Sequence, residues 1–312
     1  MDTKRIGVLA IICASILWAI EPVLAKLAYR NADFLQTSTL RAIFVALTAL
    51  PYAIITNGRN GSAGATRRST ENERGSRPWK SLRVSRNQFP KLLYIAIAGT
   101  IVADLAYYFS LTRIPVINAV LIGHMQPIFI VLFGFVVLKE DRLTASDYFG
   151  ILIMVIAGLL VTTKTMTNLT MLKFGTSGDL FVLLATFAWA TTAIVMRKYL
   201  RDMNAGVLVF YRFSIGAVIF VTYLLIKSSI RISNIYQVLV GVLVGVGSIL
   251  YYESLKRIKA AQVSALELST PFFAAFLGFV VLKESVTIMQ LLGIGLLFVG
   301  VHFLSKREEA YF

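Results

Sequence analysis

The chain has 312 residues, of which 57% are hydrophobic and 15% charged, with a mean hydropathy of +0.74 and a formal net charge of +15. A soluble domain of this length carries a far larger charged surface, so composition excludes an ordinary soluble fold. The single cysteine, Cys13, excludes an internal disulfide, and only two histidines beside it argue against a metal site built on His and Cys.

In chain order, apolar stretches fall at 6–29, 34–56, 90–111, 116–138, 145–163, 178–199, 206–226, 235–255, 260–282 and 286–304. Most are about 20 residues, the length a helix needs to cross a bilayer. Lys4-Arg5 before the first stretch resembles a secretory signal, but that stretch belongs to a repeated unit, so no cleavage is expected. Residues 57–88 carry eight Lys/Arg and two Glu among many Gly, Ser and Asn. They bury too little apolar surface to fold alone and are expected to form a flexible, solvated cytoplasmic linker. A rival reading sets Arg77, Lys80, Arg83 and Arg86 on anionic lipid, with Trp79 at headgroup level. The basic charge lacks any groove-reading or stacking motif, which argues against nucleic acid.

The stretches repeat. Gly134-Phe135-Val136-Val137-Leu138-Lys139-Glu140 returns as Gly278-Phe279-Val280-Val281-Leu282-Lys283-Glu284, an offset of 144. At the same offset Pro127 matches Pro271, and Tyr107-Tyr108-x-Ser110-Leu111-x-Arg113-Ile114 matches Tyr251-Tyr252-x-Ser254-Leu255-x-Arg257-Ile258. Nearer the N-terminus the offset is 171, which pairs Trp18-Ala19 with Trp189-Ala190 and Arg41 with Arg212. A period this long marks duplicated halves rather than a short-repeat solenoid.

Five stretches per half is an odd number, so the second half enters the membrane from the opposite side. The expected fold is an all-α integral membrane protein with ten transmembrane helices arranged as two inverted five-helix repeats. The first repeat spans 1–163 and includes the linker. An outer connecting loop covers 164–177, the second repeat 178–305 and a cytoplasmic tail 306–312. With both termini in the cytoplasm, 21 of the 31 Lys/Arg lie inside and seven outside, as the positive-inside rule requires.

Charges within the bilayer must face a cavity or a partner. Glu21 and Asp104 are expected at one level in the outer half of the membrane. His124 and Glu267 approach the midplane from opposite sides. Pro271 should kink its helix beside Glu267, and Pro127 should do the same beside Gly123. Kinks at matched places point to a transporter site, so Gly123, His124, Gln126, Pro127, Glu267, Thr270 and Pro271 are substrate-cavity candidates, with Trp18 and Trp189 as walls. Glu21, Glu267 and Asp104 are candidates for proton coupling, because a carboxyl withdrawn from water can exchange protons in step with substrate. For Glu21 the competing expectation is a fixed ion pair with Lys26 or an arginine; Lys26 itself should snorkel to the interface. Arg41 and Arg212 are read as structural or gating. Tyr107, Tyr108, Tyr251 and Tyr252 are read as an interfacial belt or a gate. Gly241-x-x-x-Gly245 should allow close helix packing.

Taken together, the Trp-Ala pairs, Arg41 and Arg212, the Tyr-Tyr-x-Ser-Leu-x-Arg-Ile repeats, the two prolines and the Leu-Lys-Glu repeats resemble the EamA-type branch of the drug/metabolite transporter superfamily. That pattern usually has alanine where this chain has Ser110 and Ser254. Ala19-Ile20-Glu21-x-Val23 is also similar to the first span of the small-multidrug exporters, where a membrane glutamate exchanges protons for substrate. The resemblance implies a multi-pass carrier in the cell membrane, often an exporter, with a central cavity for small metabolites such as amino acids. Alternating access is the implied mechanism, with protons as a coupling ion. It implies no cofactor and no enzymatic activity. Other readings stay open: a facilitative uniporter or exchanger, a nucleotide-sugar-type carrier, and, more remotely, an intramembrane enzyme. The sequence leaves oligomeric state open and is compatible with a monomer. No Walker A loop is present, so ATP hydrolysis is not expected.

Overall fold

The computed structural model describes residues 3–63, 82–137, 145–173, 175–200, 203–227, 230–255, 257–258, 263, 266–267 and 269–309. The described chain is helical, with no strand among the described residues. Helices α1 (Thr3–Ala28) and α2 (Phe34–Ala63) come first. The third stretch is composite: α3 (Phe89–Ile95), a π-helical segment (Ala96–Asp104) and α4 (Leu105–Leu111). The fourth is broken into α5 (Val116–Gly123) and α6 (Gln126–Val137). There follow α7 (Ala145–Thr163), a short α8 (Met166–Thr170), α9 (Ser177–Tyr199), α10 (Ala205–Lys227), α11 (Ile235–Leu255), α12 (Ser269–Leu282) and α13 (Ile288–Glu309).

An apolar medium offers backbone groups no partner, so membrane-crossing segments are helical and satisfy their own N–H and C=O groups. Short polar residues set the helix starts. Asp33 accepts the Gln36 N–H at 2.7 Å, and Asn204 accepts the N–H groups of Gly206 and Val207. Thr176 and Asp179 form a reciprocal capping box at the start of α9.

Among the described residues, seven stretches are long and apolar enough to cross a bilayer, and three apolar helices are shorter: Tyr148–Thr163, Ser269–Leu282 and Ile288–Phe303. These three fall in the fifth, ninth and tenth expected spans. Sixteen residues of helix reach about 24 Å, less than the roughly 30 Å hydrocarbon core.

Packing follows the duplication. Helix α1 lies on α11, and its repeat partner α9 lies on the π segment and α4. Helix α1 also meets α12, as α9 meets α5 and α6. Helix α2 packs on α10, and α7 on α13. Exchanging the halves leaves this set of contacts unchanged, so the halves interlock rather than sit side by side.

Small residues set the closest approaches. A Cβ on Gly245 would stand 2.8 Å from Thr48 Cβ, and one on Gly241 would run into Phe44 and lie 3.0 Å from the Arg41 carbonyl oxygen. The glycine pair thus joins α11 to α2 within one chain. Gly245→Val should lower stability by about 1–3 kcal/mol, the usual cost of overpacking. A lowered midpoint of thermal unfolding in detergent checks this; an unchanged midpoint would show that α2 and α11 can separate freely.

Two expectations need correction. The 57–88 segment is not a free linker throughout: α2 continues to Ala63, and Leu82 is buried. Leu82 packs beside Ala53 and Val207, and its carbonyl accepts the Tyr211 hydroxyl at 2.9 Å. The apolar residues within this polar stretch dock onto α2 and α10. Residues 64–81, with Arg77, Trp79 and Lys80, lie outside the described residues, as do Lys139 and Glu140.

Lys26 is held in an ion pair rather than left as a lone snorkelling charge. Its Nζ lies 2.7 Å from Glu284 Oε1, while Glu284 Oε2 accepts the Val116 N–H at 2.8 Å. One carboxylate therefore ties the end of α1, the start of α5 and the turn after α12. Glu284→Ala should cost about 1.5–3 kcal/mol, the worth of a hydrogen bond to a charged group. The exchanged pair Lys26→Glu with Glu284→Lys should recover only part of that loss, because lysine cannot accept from Val116. Full recovery in a thermal melt would mean that the charge pair alone matters.

Candidate functional site

The sequence places Trp18 and Glu21 three residues apart on α1, hence on one helical face. Arg41 lies on α2, Asp104 at the end of the π segment, Trp189 on α9 and Arg212 on α10. The fold brings all six to one cavity of about 220 Å³ between the two halves. Tyr107, Gly123, His124, Gln126 and Pro127 join them from the first half, and Tyr251, Tyr252, Glu267 and Thr270 from the second. Two expected residues stand apart from the wall. Tyr108 is wholly buried behind it, and Pro271 is buried on α12 without lining the cavity.

Four charges form a closed network at the cavity. Asp104 accepts from Arg41 Nη1 at 2.8 Å, from Arg212 Nη2 at 3.3 and 3.4 Å, and from the Trp189 indole N–H at 2.8 Å. Glu21 accepts from Arg41 Nε at 3.0 Å and from the Tyr108 hydroxyl at 2.9 Å. Arg41 therefore bridges both carboxylates. Its guanidinium also lies 5.0 Å from the Tyr108 ring centroid and 5.3 Å from that of Phe213, and Arg212 faces Phe213 at 4.9 Å. Arg212 Nε donates to the Thr100 hydroxyl at 3.2 Å. Two acids face two arginines, so the network carries no net charge. Full pairing is what a charge cluster withdrawn from water requires. Glu21 thus pairs with an arginine, and not with Lys26.

The π segment helps to build this cluster. Single π turns concentrate at functional sites because the wider turn re-aims the residues around it. Here the segment carries both Thr100 and Asp104 to Arg212. Gly99 leaves room for the same guanidinium: a Cβ there would stand 3.0 Å from Arg212 Nη2.

The aromatic residues pair across the halves. Trp18 meets Tyr251 at 5.1 Å between centroids, and Trp189 meets Tyr107 at 5.3 Å. Each pair is the repeat image of the other. The four tyrosines are not an interfacial belt: Tyr107 and Tyr108 are buried, and Tyr107, Tyr251 and Tyr252 form cavity wall. The acids break the symmetry. Asp104 corresponds to Ser248 and Glu21 to Thr192, so both arginines converge on carboxylates from the first half alone.

At the broken fourth stretch, His124 and Met125 form a turn between α5 and α6. His124 Nδ1 lies 2.7 Å from the Val120 carbonyl oxygen, and its Nε2 is buried with no hydrogen-bond partner among the described residues. Thr270 Oγ1 is also buried and unpartnered there. Glu267 makes no hydrogen bond or ion pair among the described residues. Thr100, Phe213 and the pairing of Glu284 with Lys26 escape sequence reading. Thr100 is one hydroxyl in an apolar run, and the repeated Leu-Lys-Glu marks Glu284 without naming its partner.

The profile of the EamA-like transporter family matches residues 5–163 and again 176–306. The chain belongs to the EamA-like transporter family. It is accordingly a multi-pass membrane protein. An uncharacterized transporter of Methanothermobacter thermautotrophicus is 25% identical over 213 residues, 67% of this chain and 62% of that protein. An uncharacterized transporter of Synechocystis is 25% identical over 71% of this chain and 66% of its own length. The matched region thus spans slightly under two thirds of these two relatives. Protein LicB of Haemophilus influenzae is 24% identical over 66% of this chain and 71% of its own length. A solved crystal structure shares the fold with a TM-score of 0.64 and 15% identity, covering 96% of this chain and 98% of that one.

Proposed function

We propose that this EamA-family member is a secondary transporter that moves small metabolites, amino acids or related compounds, by alternating access. One observation carries the reading. The central cavity is walled by corresponding elements of two duplicated halves and contains buried polar atoms without hydrogen-bond partners among the described residues. Interlocked halves joined by an exchange-symmetric set of contacts can rock about such a site and expose it to either side in turn. The odd number of spans per half and the Lys/Arg distribution support inverted repeats with both termini cytoplasmic. A volume of about 220 Å³ favours substrates of amino-acid size and disfavours a nucleotide sugar. The arginines also speak against that alternative, because Glu21 and Asp104 already neutralise them.

Among the three proton-coupling candidates the geometry favours Glu267. Proton exchange during a transport cycle needs a carboxyl free of a fixed ion pair. Glu21 and Asp104 are held by arginines, whereas Glu267 faces the cavity without a cation among the described residues.

Uptake of pooled labelled amino acids and amines into proteoliposomes, with and without an imposed pH gradient, tests the proposal. Protein-dependent accumulation above equilibrium only with the gradient establishes a proton-coupled carrier. Uptake that merely equilibrates makes it a facilitative one. Protein that binds these compounds without carrying them would overturn the transport reading.

A further inference from the structure

We propose that Glu267, Thr270 and His124 form an ammonium subsite, so that the substrate carries a protonated primary or secondary amine. This rests on the transporter reading above and adds the chemistry that the cavity selects.

The argument begins with charge balance. Of the charged side chains in the cavity wall, Glu21 and Asp104 are matched by Arg41 and Arg212. Lys26 is engaged elsewhere, by Glu284. That leaves Glu267 as the wall's charge with no counterion among the described residues. A carboxyl withdrawn from water with no cation beside it must either keep its proton or take up a cation, and the cavity has room for a cation from outside the chain.

Hydrogen-bond inventory then narrows the class. Val120 offers His124 Nδ1 only a carbonyl oxygen, so Nδ1 carries the hydrogen of the neutral ring and Nε2 is left as an acceptor. That Nε2 is buried and has no hydrogen-bond partner among the described residues. Thr270 lies three residues after Glu267, and both line the cavity. Thr270 is 1% exposed, and its Oγ1 is buried with no hydrogen-bond partner among the described residues. Buried polar atoms are nearly always satisfied, so vacant ones in a cavity wall mark where a ligand's polar atoms sit. A carboxylate, an imidazole nitrogen and a hydroxyl oxygen together ask for N–H donors on a positive centre. A protonated amine supplies both. A quaternary ammonium supplies charge without donors, an amide supplies a donor without charge, and a carboxylate supplies neither. The Trp18 and Tyr251 rings add aromatic faces that suit a cation.

Four compounds sharing one phenyl group separate these classes: phenethylamine, N-acetylphenethylamine, phenethyltrimethylammonium and 3-phenylpropionate. Their affinities for the purified full chain are measured by calorimetry in detergent. Phenethylamine should bind tighter than each of the others by a factor on the order of 10 to 100. Glu267→Gln should erase its advantage over the N-acetyl compound. Thr270→Val should weaken it by roughly tenfold while keeping the preference for charge. Equal or tighter binding of the N-acetyl compound or the carboxylate overturns the proposal, as does no binding of phenethylamine at millimolar concentration. Equal binding of the trimethyl compound overturns the hydrogen-bonding assignment. The wild-type series stands even if a variant fails to fold. Counterflow in proteoliposomes separates this inference from its premise. An amine that binds but is never carried refutes the transporter reading and leaves the subsite. A neutral or anionic substrate that is carried, and that amines do not displace, keeps the transporter and refutes the subsite.

Discussion

Asp104→Asn is expected to destabilise the protein more than any other single change in the cavity, by about 3–5 kcal/mol. Asp104 accepts from both arginines and from the Trp189 indole. Asparagine keeps an acceptor oxygen but not the charge, so Arg212 loses its carboxylate and keeps the neutral Thr100 hydroxyl and the Phe213 ring, while Arg41 keeps Glu21 as its carboxylate. An unmatched guanidinium in a low-dielectric interior is what makes a broken buried pair so costly. Removing both members of such a pair is far milder, often close to neutral when apolar groups of similar shape replace them. Asp104→Asn combined with Arg212→Met should therefore recover much of the loss. The four-member cycle of thermal unfolding measurements in detergent reads the coupling directly. If the double variant is as unstable as the sum of the single ones, the two residues act independently, and the network is not what holds α2, the π segment and α10 together.

Glu267→Gln should behave in the opposite way, with function lost and fold retained. Glu267 has no ion pair or hydrogen bond among the described residues, so an isosteric amide removes no described contact. The unfolding midpoint should move by no more than about 2 °C, less than a 1 kcal/mol change produces in a mid-sized domain. Concentrative uptake should fall on the order of tenfold or more, because Glu267 is the wall's charge without a counterion among the described residues. Uptake that becomes purely equilibrative, with binding retained, would assign Glu267 to proton coupling. Loss of binding as well would assign it to the substrate. Gradient-driven uptake at the wild-type rate would remove Glu267 from both roles. Glu21→Gln makes a sharp contrast: it removes a partner of Arg41 and Tyr108, so its main effect should appear in stability.

Much of this protein was legible before any coordinates. Apolar runs of bilayer length can satisfy their backbone only as helices, so the described helix ends fall within a few residues of the expected ones in most spans. The structure adds the local chemistry of several starts: Asp33, Thr176 and Asn204 each accept backbone N–H groups that the first helical turn leaves free. The duplicated motifs identified two equivalent halves, and their prolines and glycines marked where the fourth stretch breaks.

The partners of the side chains were not legible, because pairing is a property of distance in space. The sequence matched Trp18 to Trp189 and Tyr107 to Tyr251 as repeats, but only packing shows that each Trp lies on the Tyr of the opposite half. It supplied Lys26 as one possible partner of Glu21; the fold gave Lys26 to Glu284 and Glu21 to Arg41. No pattern announced the π segment either, since widening one turn depends on what presses against it, here Arg212 and α9. The sequence by itself determined the elements, their duplication and which residues must leave the lipid. Tertiary structure alone decided which charges cancel one another and which one remains, because that balance depends on contacts between residues tens to hundreds of positions apart.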